Sequence, residues 1–344
     1  MSTRSTGLVL LIFLLLFSGC TVRSESTASS GGLYVAAWLW RSAGLHTFCN
    51  TEYVKIFSEI NPVWYSAITN ATNSDITGTV NRTVITWAKN YGIKVIPTIQ
   101  KLTMDSSAAS TLDDANRAAH IAKIVALVVK NGFDGIDIDY EIEGLSAADK
   151  KNYLIFIQEL GRALRTRNKS LSVCVYDYQS GVAWQNWAAM LAYVDTLKVM
   201  VYNLDVTPDP VPGPGSPLSG LEQTLNYVGS LAAAKGKIII GLPLYGHHWI
   251  QQTDDTYKYT IVHYTDAIVQ NGIAKYPVRR DDGEPYFTYQ DSAGAAHIVY
   301  FQDCTALAER LKLIASYGKV VKGVTFWDLG GEDPLSWKEI AKYQ

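Results

Sequence analysis

The chain has 344 residues with 30 Lys and Arg against 32 Asp and Glu, and a net charge of −2 excludes an affinity built on phosphate contacts, so no nucleic-acid partner is expected. An apolar fraction of 48 % with only 18 % charged residues excludes disorder, because that much apolar surface offsets chain entropy on burial. The length suits one large α/β barrel or two ordinary domains, and the nine Trp and 21 Tyr suit either an aromatic core or a groove that stacks flat ligand faces.

The first segment is a targeting sequence. Arg4 precedes an apolar run, Gly7 to Phe17, and the small residues Ser18 and Gly19 follow it. This is the layout of a secretory signal over residues 1–19, and it is shorter than the about 20 apolar residues that span a bilayer. The stretch LFSGC, ending at Cys20, resembles the lipobox of bacterial lipoproteins, with Phe17 where that motif usually has Leu. The resemblance implies cleavage before Cys20 and a membrane anchor through a lipid on Cys20; the other reading is an ordinary secretory signal. Either way the protein is expected to be exported, to the bacterial cell envelope or beyond. Residues 20–32, polar and rich in Gly and Ser, read as a flexible tether. Of the remaining cysteines, Cys174 lies in an apolar run and reads as core, and Cys49 with Cys304 is the pair left open to bridging.

From Leu33 the chain alternates short apolar runs with amphipathic ones. Strand-like runs occupy 33–40, 62–68, 94–99, 133–141, 171–176, 197–203, 237–245 and 321–327. Helical spacing holds over Asp113 to Lys130, Ala147 to Thr166, Leu221 to Lys235 and Thr305 to Tyr317, with turn signals such as Asn131-Gly132 at helix ends. Eight alternating strands predict parallel pairing, and the economical closed form is a (β/α)8 TIM barrel. An open doubly wound sheet is the rival, but no GxGxxG follows the first strand, so no dinucleotide cofactor is expected. About 60 residues separate Tyr245 from the helix near Thr305. They hold YKYTIV, PYFTY and HIVYF and predict a small α+β insertion domain between strands seven and eight, at the C-terminal mouth of the barrel. The expected division is 33–246 with 304–344 for the catalytic barrel and 247–303 for the insertion.

The segment FDGIDIDYE at 133–141 carries the chemistry. Strand side chains alternate, so Asp137, Asp139 and Glu141 share one face, and Ile136, Ile138 and Tyr140 share the other. In a barrel the acidic trio points inward, where burial and mutual repulsion force at least one carboxyl to hold a proton. Glu141, nearest the mouth, is the natural general acid, with Asp139 and Asp137 one and two layers deeper. An oxygen-ligated Mg²⁺ or Ca²⁺ is the other chemistry such a trio offers. No matching His cluster or second acidic strand is visible, and no metal is expected.

DGIDIDYE matches the DxxDxDxE signature of glycoside hydrolase family 18, the chitinase-like family, at Asp134, Asp137, Asp139 and Glu141. KVMVYN, GLPLYG and GVTFWDLGGED resemble that family's motifs on strands six, seven and eight, in the same order, and the resemblance covers the chain from Leu33 onward. It implies a retaining glycoside hydrolase that cleaves β-1,4-linked N-acetylglucosamine glycans by substrate-assisted catalysis, without an enzyme nucleophile; this family is a named exception to the two-carboxylate scheme. On that resemblance Glu141 is the acid and later the base, and Asp139 holds the acetamido N–H. Asp137 shares a proton with Asp139, Tyr202 donates to the acetamido oxygen, and Trp327 floors the reacting sugar. Asn203, Tyr245 and Trp38 are further expected substrate contacts, with Trp40 on the same face as Trp38. Asp134 has the opposite parity and reads as structural. Glu143 reads as a mouth residue, and His247 and His248 as loop residues.

Two departures from the family pattern stand out. Pro97-Thr98-Ile99-Gln100 replaces its SxGG-like stretch, and Asn203 stands where many members have Asp. The expected partner is an N-acetylglucosamine-containing polysaccharide or oligosaccharide. Chitin oligosaccharides are one substrate reading, and peptidoglycan, cleaved after N-acetylglucosamine, is another. A non-catalytic carbohydrate-binding protein and a purely structural envelope lipoprotein complete the alternatives. The Pro- and Gly-rich loop from Asp205 to Ser219 is expected to be stiff and to shape the neighbouring subsite.

Overall fold

The computed structural model describes residues 32–40, 52–70, 73–103, 112–142, 144–177, 184–206, 210–271, 278–279, 282–318 and 320–344. The signal segment, Cys20, Cys49 and Glu143 lie outside the described residues; Cys304 is a free thiol.

In chain order the elements begin β1 (Tyr34–Leu39), β2 (Glu59–Asn70), β3 (Asn73–Gly78), α1 (Arg82–Asn90), β4 (Lys94–Val95) and β5 (Thr98–Thr103). They continue with α2 (Arg117–Asn131), β6 (Gly135–Ile142), α3 (Ala147–Arg165), β7 (Ser170–Tyr176), α4 (Trp187–Met190), β8 (Thr196–Met200), α5 (Leu218–Ser230) and β9 (Ile238–Pro243). Then come β10 (Tyr245–Gln251), β11 (Tyr257–His263), α6 (Tyr264–Asn271), β12 (Val278–Arg279), β13 (Pro285–Gln290) and β14 (Ala296–Tyr300). α7 (Cys304–Ala315), β15 (Val321–Trp327) and α8 (Ser336–Ala341) complete the chain. Eight parallel strands close on themselves in the order β1, β2, β5, β6, β7, β8, β9, β15, with β1 pairing both β2 and β15. The expected (β/α)8 barrel is therefore present. Between β9 and β15 stands a separate antiparallel sheet in the order β11-β10-β14-β13-β12, the expected insertion.

The alternation on each strand explains what the barrel can hold inside. On β6 the outward side chains Ile136, Ile138, Tyr140 and Ile142 are buried. Tyr140 stacks on Phe156 of α3 at 5.8 Å between ring centroids. Each such apolar side chain contributes about 1.5–3 kcal/mol on burial. Stability is thus supplied between strands and helices, and the inward face is free to carry polar groups. The helices end as their sequences dictate. Gly132, at φ 66°, closes α2 in the left-handed conformation that glycine favours, and Ser146 with Asp149 forms a reciprocal capping box on α3.

Four departures from the expected strand boundaries bear on the site. The strand expected at 94–99 is split at Ile96-Pro97, because Pro97 has no N–H to give to a ladder. The strand expected from Pro62 begins at Glu59 and runs on into a hairpin with β3 that the sequence reading did not anticipate. The sixth barrel strand stops at Met200, short of Asn203, whose φ of 62° leaves the extended region. The strand expected at 237–245 ends at Pro243. There the Leu244 N–H turns to the Trp327 carbonyl at 2.7 Å, and Tyr245 opens β10 of the second sheet.

Candidate active site

The three inward carboxylates of β6 descend from the mouth. Glu141 is partly exposed, Asp139 is 5 % exposed and Asp137 is fully buried. Asp137 is ringed by donors from four other strands, β1, β5, β7 and β8. Its Oδ2 accepts from Trp38 Nε1 at 3.0 Å, Thr98 Oγ1 at 2.9 Å and the Cys174 thiol at 3.5 Å. Its Oδ1 accepts from the Ser172 hydroxyl and lies 3.2 Å from Lys198 Nζ. Asp134 supports the strand's start, as its parity implied: its Oδ2 accepts from the Val95 N–H at 2.8 Å.

Asp139 is treated differently. Burial first, and then the charges of Glu141 and Asp137, raise its carboxyl well above the usual carboxylate range; a hydrogen bond from Gln100 offsets only part of this. Gln100 Nε2 reaches Asp139 Oδ2 at 3.3 Å, while the buried Oδ1 has no nitrogen or oxygen partner. Burial and its acidic neighbours thus favour the protonated form of Asp139. The departure at Thr98 and Gln100 is not a loss of polar support. One side chain bonds Asp137 and the other bonds Asp139.

Trp38, Asp139, Glu141, Tyr202, Asn203 and Trp327 meet in one cleft of about 230 Å³, whose wall also includes Gln100, Tyr176, Asp177 and Met200. Burial raises the Tyr202 phenol well above its ordinary value, so it stays a neutral donor. Asn203 closes the cleft beside Tyr202, and its Oδ1 accepts from the Tyr245 hydroxyl at 2.5 Å. A left-handed residue in a cleft is held there by its surroundings, and Asn is among the side chains that tolerate it best. Tyr245 itself lines an adjoining hollow with Trp40, Ile261, His263 and Asp328 that shares Asn203 and Trp327 with the first.

Of the paired tryptophans, Trp38 is buried with its N–H committed to Asp137, whereas Trp40 is 52 % exposed and lies against Trp327 at 6.0 Å. The histidines expected in a loop lie on β10 instead. His247 is buried, with Nδ1 2.7 Å from Asp205 Oδ2, and His248 Nε2 lies 2.7 Å from His297 Nδ1. The Pro-rich loop is clamped from two sides. Glu284 of the insertion accepts from the Gly215 and Ser216 N–H groups at 3.1 and 2.8 Å, and Arg310 of α7 pairs with Glu284 at 3.1 Å.

The sequence reading missed the layer beneath the carboxylates. Lys198 on β8 is fully buried and pairs with Glu59 Oε1 at 2.9 Å as well as with Asp137. Glu59 also accepts from Asn61 Nδ2 and the Tyr34 hydroxyl, each at 2.8 Å. Burial alone would raise Glu59, but the Lys198 charge and these hydrogen bonds hold it below its usual value. The signal was available: Lys198, Met200 and Tyr202 share one parity, and a charged residue inside an apolar run invites a partner. Starting the second strand at Pro62 concealed Glu59. Among the described residues no group of three or more His, Cys, Asp or Glu is placed to hold a metal.

Among curated proteins, the chain is similar to YdhD of Bacillus subtilis (strain 168), whose name describes a sporulation-specific glycosylase. The two are 24 % identical over 332 residues, 92 % of this chain and 76 % of that protein. It is 25 % identical over 235 residues to the cortical fragment-lytic enzyme of the same organism, 65 % of this chain and about half (53 %) of that protein's length. Among solved structures, a chitinase from Chromobacterium violaceum ATCC 12472 superposes with a TM-score of 0.77 at 23 % identity, covering 90 % of this chain and 98 % of that one. The spore cortex-lytic enzyme SleL of Bacillus megaterium QM B1551 gives 0.77 at 18 % identity, covering 90 % and 74 %. Likeness at these identities concerns the fold. The sequence pattern described as glycosyl hydrolases family 18 matches residues 33–332, nearly the whole of the barrel and its insertion, and the chain belongs to that family of glycosidases.

Proposed function

We propose that the protein is a retaining glycosidase acting on β-1,4-linked N-acetylglucosamine glycans, with the substrate's own acetamido group as nucleophile. In the first step the acetamido carbonyl oxygen bonds to the anomeric carbon as the glycosidic C–O bond breaks. Glu141 gives its proton to the departing oxygen, and Asp139 accepts from the acetamido N–H. In the second step Glu141 takes a proton from the water that opens the oxazolinium ring, which restores the configuration. Tyr202, a neutral donor, bonds the acetamido oxygen, and the Trp327 ring supports the sugar's apolar face. Asn203, Tyr245 and Trp38 shape the cleft around that sugar. The observation that carries this reading is the buried, unpartnered Asp139 Oδ1, on a carboxyl whose proton affinity is raised, beside the partly exposed Glu141 in the same cleft.

Chitin oligosaccharides and peptidoglycan both present N-acetylglucosamine at the reacting position. Similarity to cortical fragment-lytic and spore cortex-lytic enzymes favours peptidoglycan as the second reading; similarity to a chitinase structure favours the first. We further propose export and a lipid on Cys20, from the leader's layout, tested by loss of membrane association in Cys20→Ser.

The test is release of chromophore from aryl glycosides of chitobiose and chitotriose by the wild type and Glu141→Gln. Turnover that falls at least about a thousandfold in the variant supports the mechanism. Binding of the oligomers without wild-type turnover, on these glycosides and on purified sacculi alike, makes the protein a lectin and refutes it.

A further inference from the structure

The insertion meets the barrel where the chain leaves β8 for the cleft, and two buried side chains at that junction have no part in the mechanism above. We propose that His247 of β10 and Asp205 form a latch between insertion and barrel, which positions the arm carrying Tyr202 and Asn203 for the chemical step. Both are positioning residues, since neither lines the cleft or the adjoining hollow. The effect on turnover rests on the glycosidase reading, whereas the geometry of the latch does not.

β8 ends at Met200, and the chain beyond it bends at Asn203, whose φ of 62° is uncommon for a residue with a side chain. Two backbone bonds frame the bend. The Val206 N–H donates to the Asn203 carbonyl at 3.2 Å, and the Leu204 N–H to the Gly215 carbonyl at 3.0 Å. The side chains of the arm are held from β10. Tyr245 and His247 share one face of that strand, and Asn203 and Asp205 are likewise separated by one residue. The four meet as two rungs: the Tyr245 hydroxyl to Asn203 Oδ1 at 2.5 Å, and His247 Nδ1 to Asp205 Oδ2 at 2.7 Å. The Tyr202 ring also stands edge-on to the Tyr245 ring, 6.3 Å between centroids, which ties the substrate-facing phenol to the same strand. The far end of the loop is held separately, by Glu284 at Gly215 and Ser216.

The second rung is a costly way to fasten two elements together. A carboxylate accepts, so His247 Nδ1 carries the hydrogen. That leaves His247 Nε2 and Asp205 Oδ1 buried without a partner among the described residues. The imidazole is packed edge-on against the Tyr245, Trp249 and Tyr259 rings, at 5.7, 5.9 and 4.9 Å, a setting that an apolar side chain would fill with no orphaned atoms. Packing alone therefore does not call for this pair. What the pair adds is direction: one short hydrogen bond sets where Asp205, and with it the bend at Asn203, stands relative to β10. Tyr202 is the donor to the acetamido oxygen, and misplacing such a group by about 1 Å costs about a hundredfold in rate.

The test compares the mature chain with three variants. His247→Asn puts an amide nitrogen at the place of Nδ1, and His247→Gln puts it at the place of Nε2 instead. The double variant His247→Leu/Asp205→Leu removes both partners and strands neither. On the chitobiose aryl glycoside, kcat falls about 30- to 100-fold in His247→Gln and in the double variant, while KM changes by less than about threefold. His247→Asn stays within about fivefold of the wild type in kcat. The double variant melts no lower than the wild type, because apolar side chains replace a buried polar pair without loss, so its lower kcat does not come from a weakened fold. Amide hydrogen exchange at Leu204 and Val211 quickens about tenfold or more in the two slow variants and not in His247→Asn. A double variant whose kcat is within about threefold of the wild type, or a His247→Asn as slow as His247→Gln, overturns the proposal. Exchange is read whether or not the glycoside turns over. An inactive wild type therefore refutes the function proposed above, and the latch itself is overturned by exchange at Leu204 and Val211 that is the same in all four proteins.

Discussion

Replacing Trp38 with Phe isolates the bond that anchors the deepest carboxylate. Trp38 is 1 % exposed, and its indole N–H reaches Asp137 Oδ2 at 3.0 Å. A hydrogen bond to a charged group contributes about 1.5–3 kcal/mol, and its loss leaves a buried carboxylate oxygen short of a donor. The smaller ring leaves about 40 Å³ unfilled, which at about 24 cal/mol per Å³ adds ~1 kcal/mol. Together the variant is destabilised by about 2.5–4 kcal/mol. Urea unfolding at neutral pH measures this as a lower midpoint with an unchanged slope. Trp40→Phe is the control: Trp40 is 52 % exposed, so its loss costs less than about 0.5 kcal/mol and acts instead on KM. A Trp38→Phe change below about 1 kcal/mol refutes the argument that the indole N–H holds Asp137.

Asp139→Asn removes a carboxyl whose proton affinity is raised on folding, so wild-type stability from this group is full below the ordinary carboxylate range and is lost as pH rises through the folded value. The variant is therefore inactive, but its melting temperature gains on the wild type as pH increases from about 4 to 8. His120 is the opposite case. Burial, with the Lys101 and Lys123 charges, pushes its imidazole down to about 4, and its Nε2 lies 2.7 Å from the Tyr140 hydroxyl behind the catalytic strand. Stability from the neutral ring is present above about pH 6.5 and is lost as pH falls through 4, a slope that His120→Gln flattens in calorimetry across that window. Glu284→Gln strands the buried Arg310 and weakens the clamp on the Ser216 loop. It costs about 3–5 kcal/mol in urea unfolding and raises KM, whereas a loop held by its prolines alone predicts neither change.

The sequence by itself determined the barrel and the trio. Eight apolar runs separated by helical spacing leave few closed topologies, and strict alternation through Asp137, Asp139 and Glu141 places all three on one face whatever surrounds them. The burial gradient from Asp137 to Glu141 followed from strand direction alone. What the sequence did not settle is which groups meet across strands. Lys198, Glu59 and Asp137 are far apart in the chain and converge only because β8, β2 and β6 present the same inward parity at the same depth, which depends on strand register. Register also decided that Thr98 supports Asp137 and Gln100 supports Asp139. Tyr245 and His247 were assigned by local pattern to a barrel strand and a loop, and the pairing of β10 with β11 and β14 moved both into the second sheet. Local pattern follows from side-chain alternation and turn chemistry, which each segment carries within itself. The charge balance of the site is a sum over several strands, and only the closed barrel brings its members within a few ångströms.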